Sequence, residues 1–158
     1  MAYGESLSTA NELIGRDGID LLTRLIYAEA LNQSESVKKG VAFVVKNRKE
    51  KNSSVFGGNT WEGVILEKNQ FTKITSSYAL QPDTSSEEWK TSLDIARNIA
   101  DKTNPVGNCL WYAKSTYYAR KVSTENGKEY YCQGTGVYNE VIEKTVLGDY
   151  TFYRLLGY

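Results

Sequence analysis

The chain contains no histidine among its 158 residues. Without an imidazole it has no Ser-His or Cys-His nucleophilic pair and no histidine-ligated metal site. Its two cysteines, Cys109 and Cys132, are too few for a four-thiolate zinc site, and they form either one disulfide or two free thiols. If the protein is an enzyme, we expect no metal and no cofactor, so carboxylates, tyrosines and lysines must perform acid–base chemistry of the kind used in glycoside cleavage.

The chain also lacks an excess of charge and a long apolar run. Nineteen basic and nineteen acidic residues cancel, so the broad positive field that supplies most non-specific nucleic-acid affinity is missing. No apolar run approaches the roughly 18 residues of a membrane-spanning helix. Residues 1–6 have neither the basic nor the apolar region of a signal peptide. We therefore expect no nucleic-acid partner, no membrane insertion, no signal peptide in this chain, and a monomer.

The order of hydrophobic patterns predicts an α+β fold, with N-terminal helices followed by a small antiparallel β-sheet. Residues 1–16 are polar and aperiodic and are interpreted as an N-terminal extension, which leaves 17–158 as a single domain. Helical patterns cover 18–32, 36–50, 61–66 and 86–102. A capping box of Ser85 and Glu88 is predicted to open the last helix, after an irregular stretch over 75–86.

The second half of the chain is rich in aromatic and β-branched residues, which favour strands. Strands are predicted over 109–113, 129–132, 141–146 and 150–153, with turns at 125–128 and 148–149.

Glu29 is the most unusual residue of the first helix because it continues an apolar stripe. Leu22, Leu25, Ile26 and Glu29 fall at i, i+3, i+4 and i+7, on one helical face. A buried carboxylate is unfavourable unless it is paired or functional. Partial desolvation raises the pKa of a carboxyl, so that it stays protonated and can donate to a glycosidic oxygen near neutral pH. The alternative is a structural ion pair with a lysine or arginine at the helix end.

Twelve tyrosines and three tryptophans are many for this length. Tyrosine has a flat apolar face and a polar tip, which suit the C–H faces and hydroxyl rims of sugar rings. Ordinary strand packing is the alternative for more than half of them. The pair Gln70-Phe71 follows a helical turn, where it either places an amide beside a polar ligand or anchors a loop.

Five short segments occur in a characteristic order. They are Ala28-Glu29-Ala30 at the end of an aliphatic helix, the run Gly-Val-Ala-Phe-Val-Val-Lys-Asn-Arg over 40–48, Gln-Phe-Thr over 70–72, the strand 105–112, and Gly-Asp-Tyr-Thr-Phe-Tyr over 148–153. Together they resemble the SleB/CwlJ-type cell wall hydrolases, the family that includes the spore-cortex-lytic enzymes. The resemblance extends from about residue 20 to residue 153.

This resemblance implies a lysozyme-like, transglycosylase-related α+β fold, peptidoglycan glycan strands as the substrate, and Glu29 as the catalytic acid. It also implies a lytic transglycosylase, in which one carboxyl protonates the oxygen between N-acetylmuramic acid and N-acetylglucosamine and then helps to remove the proton of the muramic 6-hydroxyl. A 1,6-anhydro ring closes without a metal. The residues expected to bind the substrate are Gln70, Phe71, Tyr112, Tyr150 and Tyr153.

The chain departs from the family pattern at three places. Gln33 replaces a carboxylate, Tyr150 replaces the closing histidine, and Lys114-Ser115 replaces an Asn-Pro pair. These changes affect the part of the pattern that concerns the choice of glycan.

Two alternatives therefore stay open. One is a hydrolytic muramidase of the same fold, for which Glu35, Glu62 or Asp149 would supply a second carboxylate. The other is a catalytically silent glycan-binding or structural domain. In each case the site of action is expected to be the bacterial cell wall or the spore cortex.

Overall fold

The computed structural model describes residues 2–158, so the first residue of the expected extension lies outside it. The helices are α1 Gly18–Glu29, α2 Glu35–Lys51, α3 Trp61–Ile65, α4 Ser77–Leu80, α5 Glu87–Arg97 and α6 Ser115–Lys121. The strands are β1 Trp111–Lys114, β2 Val122–Glu125, β3 Lys128–Gly134, β4 Val137–Leu147 and β5 Tyr150–Leu155. Short 3₁₀ turns cover Ala10–Leu13, Ser54–Phe56, Thr72–Thr75 and Ile99–Asp101. The predicted α+β order, with helices before an antiparallel sheet, is confirmed.

Polar caps set where the helices begin. α1 begins after Asp17, whose carboxylate accepts a hydrogen bond of 2.8 Å from the Ile19 amide. α5 begins after Ser86 and not after the predicted Ser85: the Ser86 hydroxyl accepts a hydrogen bond of 3.1 Å from the amide of Trp89, whereas the Ser85 hydroxyl donates to the Asp83 carboxylate at 2.6 Å.

Two helices are several residues shorter than predicted, and two helices and one strand were missed. α1 ends at Glu29, before Asn32 adopts a left-handed conformation with φ of 64°. α5 ends at Arg97, where the side chain of Asn98 donates to the carbonyl of Asp94. α6 and β2 were not predicted, and α4 lies in the stretch that was expected to be irregular. Helices of four to seven residues depend on tertiary contacts and not on their own periodicity, so a sequence pattern reveals them poorly.

α1 lies at the centre of the helical part, and its residues from Asp20 to Ala28 are all buried. The buried Asp20 carboxylate binds Arg24 at 2.8 Å and Arg16 at 2.5 Å. Leu7 and Leu13, from the segment before α1, also belong to the main core. Since α1 is held on every side, its last residue occupies a fixed position. Within residues 2–158, no helix combines the length and the apolar character that crossing a bilayer would take.

The sheet has the order β1-β5-β4-β3-β2, and every neighbouring pair is antiparallel. One face packs on the helices through Phe152 of β5, whose ring lies so close to Gly40 of α2 that a Cβ there would be 2.5 Å from it. The absence of a side chain at Gly40 therefore lets the sheet approach α2. This contact places β1 and β5 beside the end of α1.

Candidate active site

Glu29 is the last residue of α1 and is partly exposed, at the point where the helical part meets β1. Burial raises the pKa of Glu29 above its ordinary value. A hydrogen bond from the Tyr112 hydroxyl, the positive charge and backbone amide of Lys73, and the positive charge of Arg48 act in the opposite direction. In this environment the Glu29 carboxyl holds its proton more tightly than it would in water. Hydrogen-bond donors and positive charges nearby stabilise the carboxylate once the proton leaves.

Arg48 is a buried cation of α2, and only 4% of it is exposed. Its Nε donates to the carbonyl of Leu110 at 2.7 Å, and its Nη1 donates to Oε1 of Gln70 at 3.0 Å. The guanidinium carbon lies 4.8 Å from the ring centre of Phe56 and 4.7 Å from that of Phe71. Desolvation lowers the pKa of Arg48 to about 10, which leaves it cationic at neutral pH.

Tyr112 of β1 connects these groups. Its ring stacks on Phe71 with a centroid distance of 6.4 Å and lies 6.3 Å from that of Tyr150. Burial raises the pKa of Tyr112 well above its ordinary value, and the neighbouring Glu29 raises it further. The hydroxyl therefore keeps its proton and acts as a donor toward Glu29. Tyr150, at the start of β5, is buried and close enough to Glu29 for that carboxylate to raise its pKa as well, after burial.

The structure brings six residues together around this carboxyl, and they form the Glu29 site: Glu29, Arg48, Gln70, Phe71, Tyr112 and Tyr150. Gln70 is exposed, whereas Phe71 is only 4% exposed and lies between Arg48 and Tyr112. The buried Phe71 ring thus packs against Arg48 and Tyr112 and helps to fix their positions.

Tyr153 belongs to a different cluster, although it is near enough to Arg48 that the guanidinium charge partly offsets the rise in the pKa of Tyr153 caused by burial. It follows Phe152 on β5, so its side chain points to the opposite face of the sheet. There it belongs to a second cluster, Tyr118, Tyr131, Tyr153 and Leu155, which is called the tyrosine cluster below. Its ring stacks on Tyr131 at 4.5 Å and on Trp111 at 5.9 Å.

Two residues of this region were missed as candidates from the sequence. Arg48 continues the apolar stripe of α2 in the same way that Glu29 continues that of α1, and this signal could have identified it. Lys73 lies on a 3₁₀ turn next to the Gln70-Phe71 pair, and no local pattern distinguishes it from a surface lysine.

The three carboxylates considered as a second catalytic group have different surroundings. Glu62 accepts a hydrogen bond of 2.7 Å from the amide of Gly15, Glu35 is exposed in the first turn of α2, and Asp149 is exposed next to Tyr150. Both cysteines are free thiols. Among residues 2–158, no three His, Cys, Asp or Glu side chains are grouped as a metal site would need.

A cavity of about 500 Å³ lies beside Tyr150 and is lined by Gln33, Lys114, Ser115 and Asp149, among others. Lys114 is the register partner of Tyr150. The three places at which the chain departs from the family pattern are therefore neighbours in space. A larger cavity, about 710 Å³, lies along β2, β3 and β4 and contains none of the residues of the Glu29 site.

Two kinds of similarity relate the chain to known proteins, one in sequence and one in structure. A family model described as Cell Wall Hydrolase matches residues 32–139, a segment that begins three residues after Glu29. No curated protein sequence gives a significant match. The structure resembles the catalytic domain of the germination-specific lytic transglycosylase SleB from Bacillus anthracis, with a TM-score of 0.56 and 21% identity over 89% of this chain and 98% of that one. It also resembles the catalytic domain of Bacillus cereus SleB, with a TM-score of 0.55 and 23% identity over 87% of this chain and 89% of that one.

Proposed function

Because this chain belongs to the cell wall hydrolase family, we propose that it cleaves peptidoglycan glycan strands as a lytic transglycosylase, with Glu29 as general acid and then general base. The observation that carries this proposal is the environment of Glu29, a carboxyl whose pKa is raised by burial and which faces a hydroxyl, a backbone amide and two cations.

In the first step, protonated Glu29 donates its proton to the oxygen that joins N-acetylmuramic acid to N-acetylglucosamine. The bond from the muramic C1 to this oxygen breaks, and positive charge develops at C1 as in other glycosidases. The raised pKa keeps a larger fraction of Glu29 protonated near neutral pH than an exposed glutamate would have.

In the second step, the Glu29 carboxylate removes the proton of the muramic 6-hydroxyl, and the oxygen of that hydroxyl bonds to C1. The 1,6-anhydro ring closes, and Glu29 returns to its protonated form. Between the two steps the carboxylate is stabilised by the Tyr112 hydroxyl, the Lys73 amide and the charge of Arg48. One carboxyl thus performs both proton transfers, and neither a metal nor a second carboxylate takes part.

The experiment that tests this proposal is mass spectrometry of the fragments released from purified peptidoglycan. A lytic transglycosylase leaves 1,6-anhydromuramic ends, which are one water lighter than reducing ends. Reducing ends would instead establish the hydrolytic muramidase and direct attention to Asp149, which adjoins Tyr150. Intact peptidoglycan, with the protein folded, would establish the silent glycan-binding domain.

A further inference from the structure

The side-chain amide of Gln70 is held in one orientation. Its Oε1 lies 3.0 Å from Nη1 of Arg48. A guanidinium has donors and no acceptor, so the atom of the amide that faces it must be the oxygen. The NH₂ group therefore lies at the other end. Gln70 is exposed, and none of the hydrogen bonds found within residues 2–158 uses its Nε2.

Arg48 cannot turn to release this amide. Its Nε is bound to the carbonyl of Leu110, and its guanidinium carbon lies over the rings of both Phe56 and Phe71. A fork of donors that is bound at one end by the backbone leading into β1 and packed against two aromatic rings is a rigid support. The orientation of Gln70 is therefore set before any ligand arrives.

We propose that Gln70 donates its NH₂ group to the carbonyl oxygen of an acetamido substituent on the bound glycan, and that Arg48 is the positioning residue that keeps this donor outward. The proposal rests on the proposed function, since Phe71 and Tyr112 connect Gln70 to Glu29. A group that offers only N–H needs an acceptor, and an amide carbonyl oxygen is a stronger acceptor than a hydroxyl oxygen. In a glycan strand the acetamido carbonyl has this character, whereas a sugar hydroxyl both donates and accepts.

Binding measured without cleavage tests this inference. In the Glu29→Gln variant, calorimetry would compare the β-1,4-linked tetramer of N-acetylglucosamine with the β-1,4-linked tetramer of glucose, which is also neutral but carries hydroxyls in place of the acetamido groups. We expect the acetamido tetramer to bind about tenfold more tightly, the effect of one hydrogen bond of about 1.4 kcal/mol.

Adding Gln70→Glu reverses the outward end from donor to acceptor while leaving an oxygen toward Arg48. This variant is expected to lose the preference for the acetamido tetramer and to bind the glucose tetramer almost as before. The inference is overturned if Gln70→Glu weakens the binding of both tetramers equally or of neither. It is also overturned if the Glu29→Gln variant, before this change, binds neither tetramer. An effect seen only with glycans that carry peptides would assign the donor to a peptide carbonyl and would also overturn it.

The positioning role of Arg48 is tested by Arg48→Lys, which keeps the charge but cannot hold Leu110 and Gln70 together. The same selective loss of acetamido preference is expected, and a merely structural role would weaken both tetramers alike. If this variant does not fold, as a melting curve would show, Gln70→Glu alone decides. Should the protein bind as expected but leave peptidoglycan uncut, the proposed function fails and this inference stands.

Discussion

The two faces of the sheet use tyrosine in different ways. On the face toward the helices, Tyr112 and Tyr150 lie beside charged groups, Glu29 and Arg48. On the other face, Tyr153 stacks in the tyrosine cluster, where its hydroxyl is hydrogen-bonded to Tyr131. Burial raises the pKa of Tyr112 and of Tyr153, so neither ionises near neutral pH.

What separates the two faces is the partner of each hydroxyl. A tyrosine that donates to a titratable carboxyl changes how tightly that carboxyl holds its proton, whereas one that donates to another tyrosine contributes only to packing and stability. The abundance of tyrosine is therefore not by itself a sign of sugar binding. Changing one residue on each face tests this difference.

The largest effect is expected for Glu29→Gln. Glutamine keeps the shape of the side chain but cannot donate a titratable proton, so cleavage of peptidoglycan should fall by at least ~10²–10⁴-fold, the usual contribution of general acid catalysis. The release of soluble fragments measures activity, and a melting curve measures the fold. An active Glu29→Gln protein would end the case for Glu29, and a weakened fold with normal turnover would indicate a structural ion pair.

A smaller effect is expected for Tyr112→Phe, with Tyr153→Phe as the matched control. Loss of the Tyr112 hydroxyl removes a donor to the Glu29 carboxylate, which should slow cleavage about 10–100-fold, as for the loss of a hydrogen bond to a charged group. The pKa of Glu29 should also rise, so the alkaline limb of the pH–rate profile should move to higher pH.

Tyr153→Phe should leave the rate and the pH profile unchanged and should lower stability by about 1 kcal/mol, through the lost hydrogen bond to Tyr131. Rate profiles and denaturant melts of the two variants give both readouts. Equal loss of activity in the two variants would contradict the distinction between the two faces.

The stability of the protein should depend on pH through Glu29. Burial raises the folded-state pKa above the ordinary value of 4.5, so the folded state binds this proton more tightly than the unfolded state does. The resulting stabilisation is complete below the unfolded pKa and is lost as the pH rises through the folded pKa. Glu29→Gln should therefore be more stable than the wild type at neutral pH, and the difference should shrink toward pH 4. Parallel curves of melting temperature against pH would contradict this.

The smallest effect is expected for changing both cysteines to serine. Cys109 is fully buried, and burial raises the pKa of its thiol to about 12, so it does not form the thiolate that a nucleophile needs. Cys132 has its thiol 2.9 Å from the carbonyl of Gly134. Lytic activity should stay within a small factor of the wild type under conditions where the protein is folded, as the same fragment assay would show. Loss of activity with an intact fold would refute this.

Features that depend on local periodicity could be predicted from the amino-acid sequence. The stripe of Leu22, Leu25 and Ile26 predicted both α1 and the unusual place of Glu29, because residues three and four apart share a helical face. The strand-rich second half and the order of helices before sheet followed from residue preferences in the same way. The pleat could also have shown that Tyr150 and Tyr153, three residues apart on one strand, face opposite sides.

Which of those two sides carries the candidate site depends on long-range packing. The choice depends on Phe152 packing against Gly40, a contact between residues more than a hundred positions apart. Long-range packing also decides that Arg48 binds Gln70 and the backbone before β1, and that Gln33, Lys114 and Ser115 line one cavity. No local pattern contains this information, since side-chain periodicity fixes which residues share a face but not which face of another element they meet.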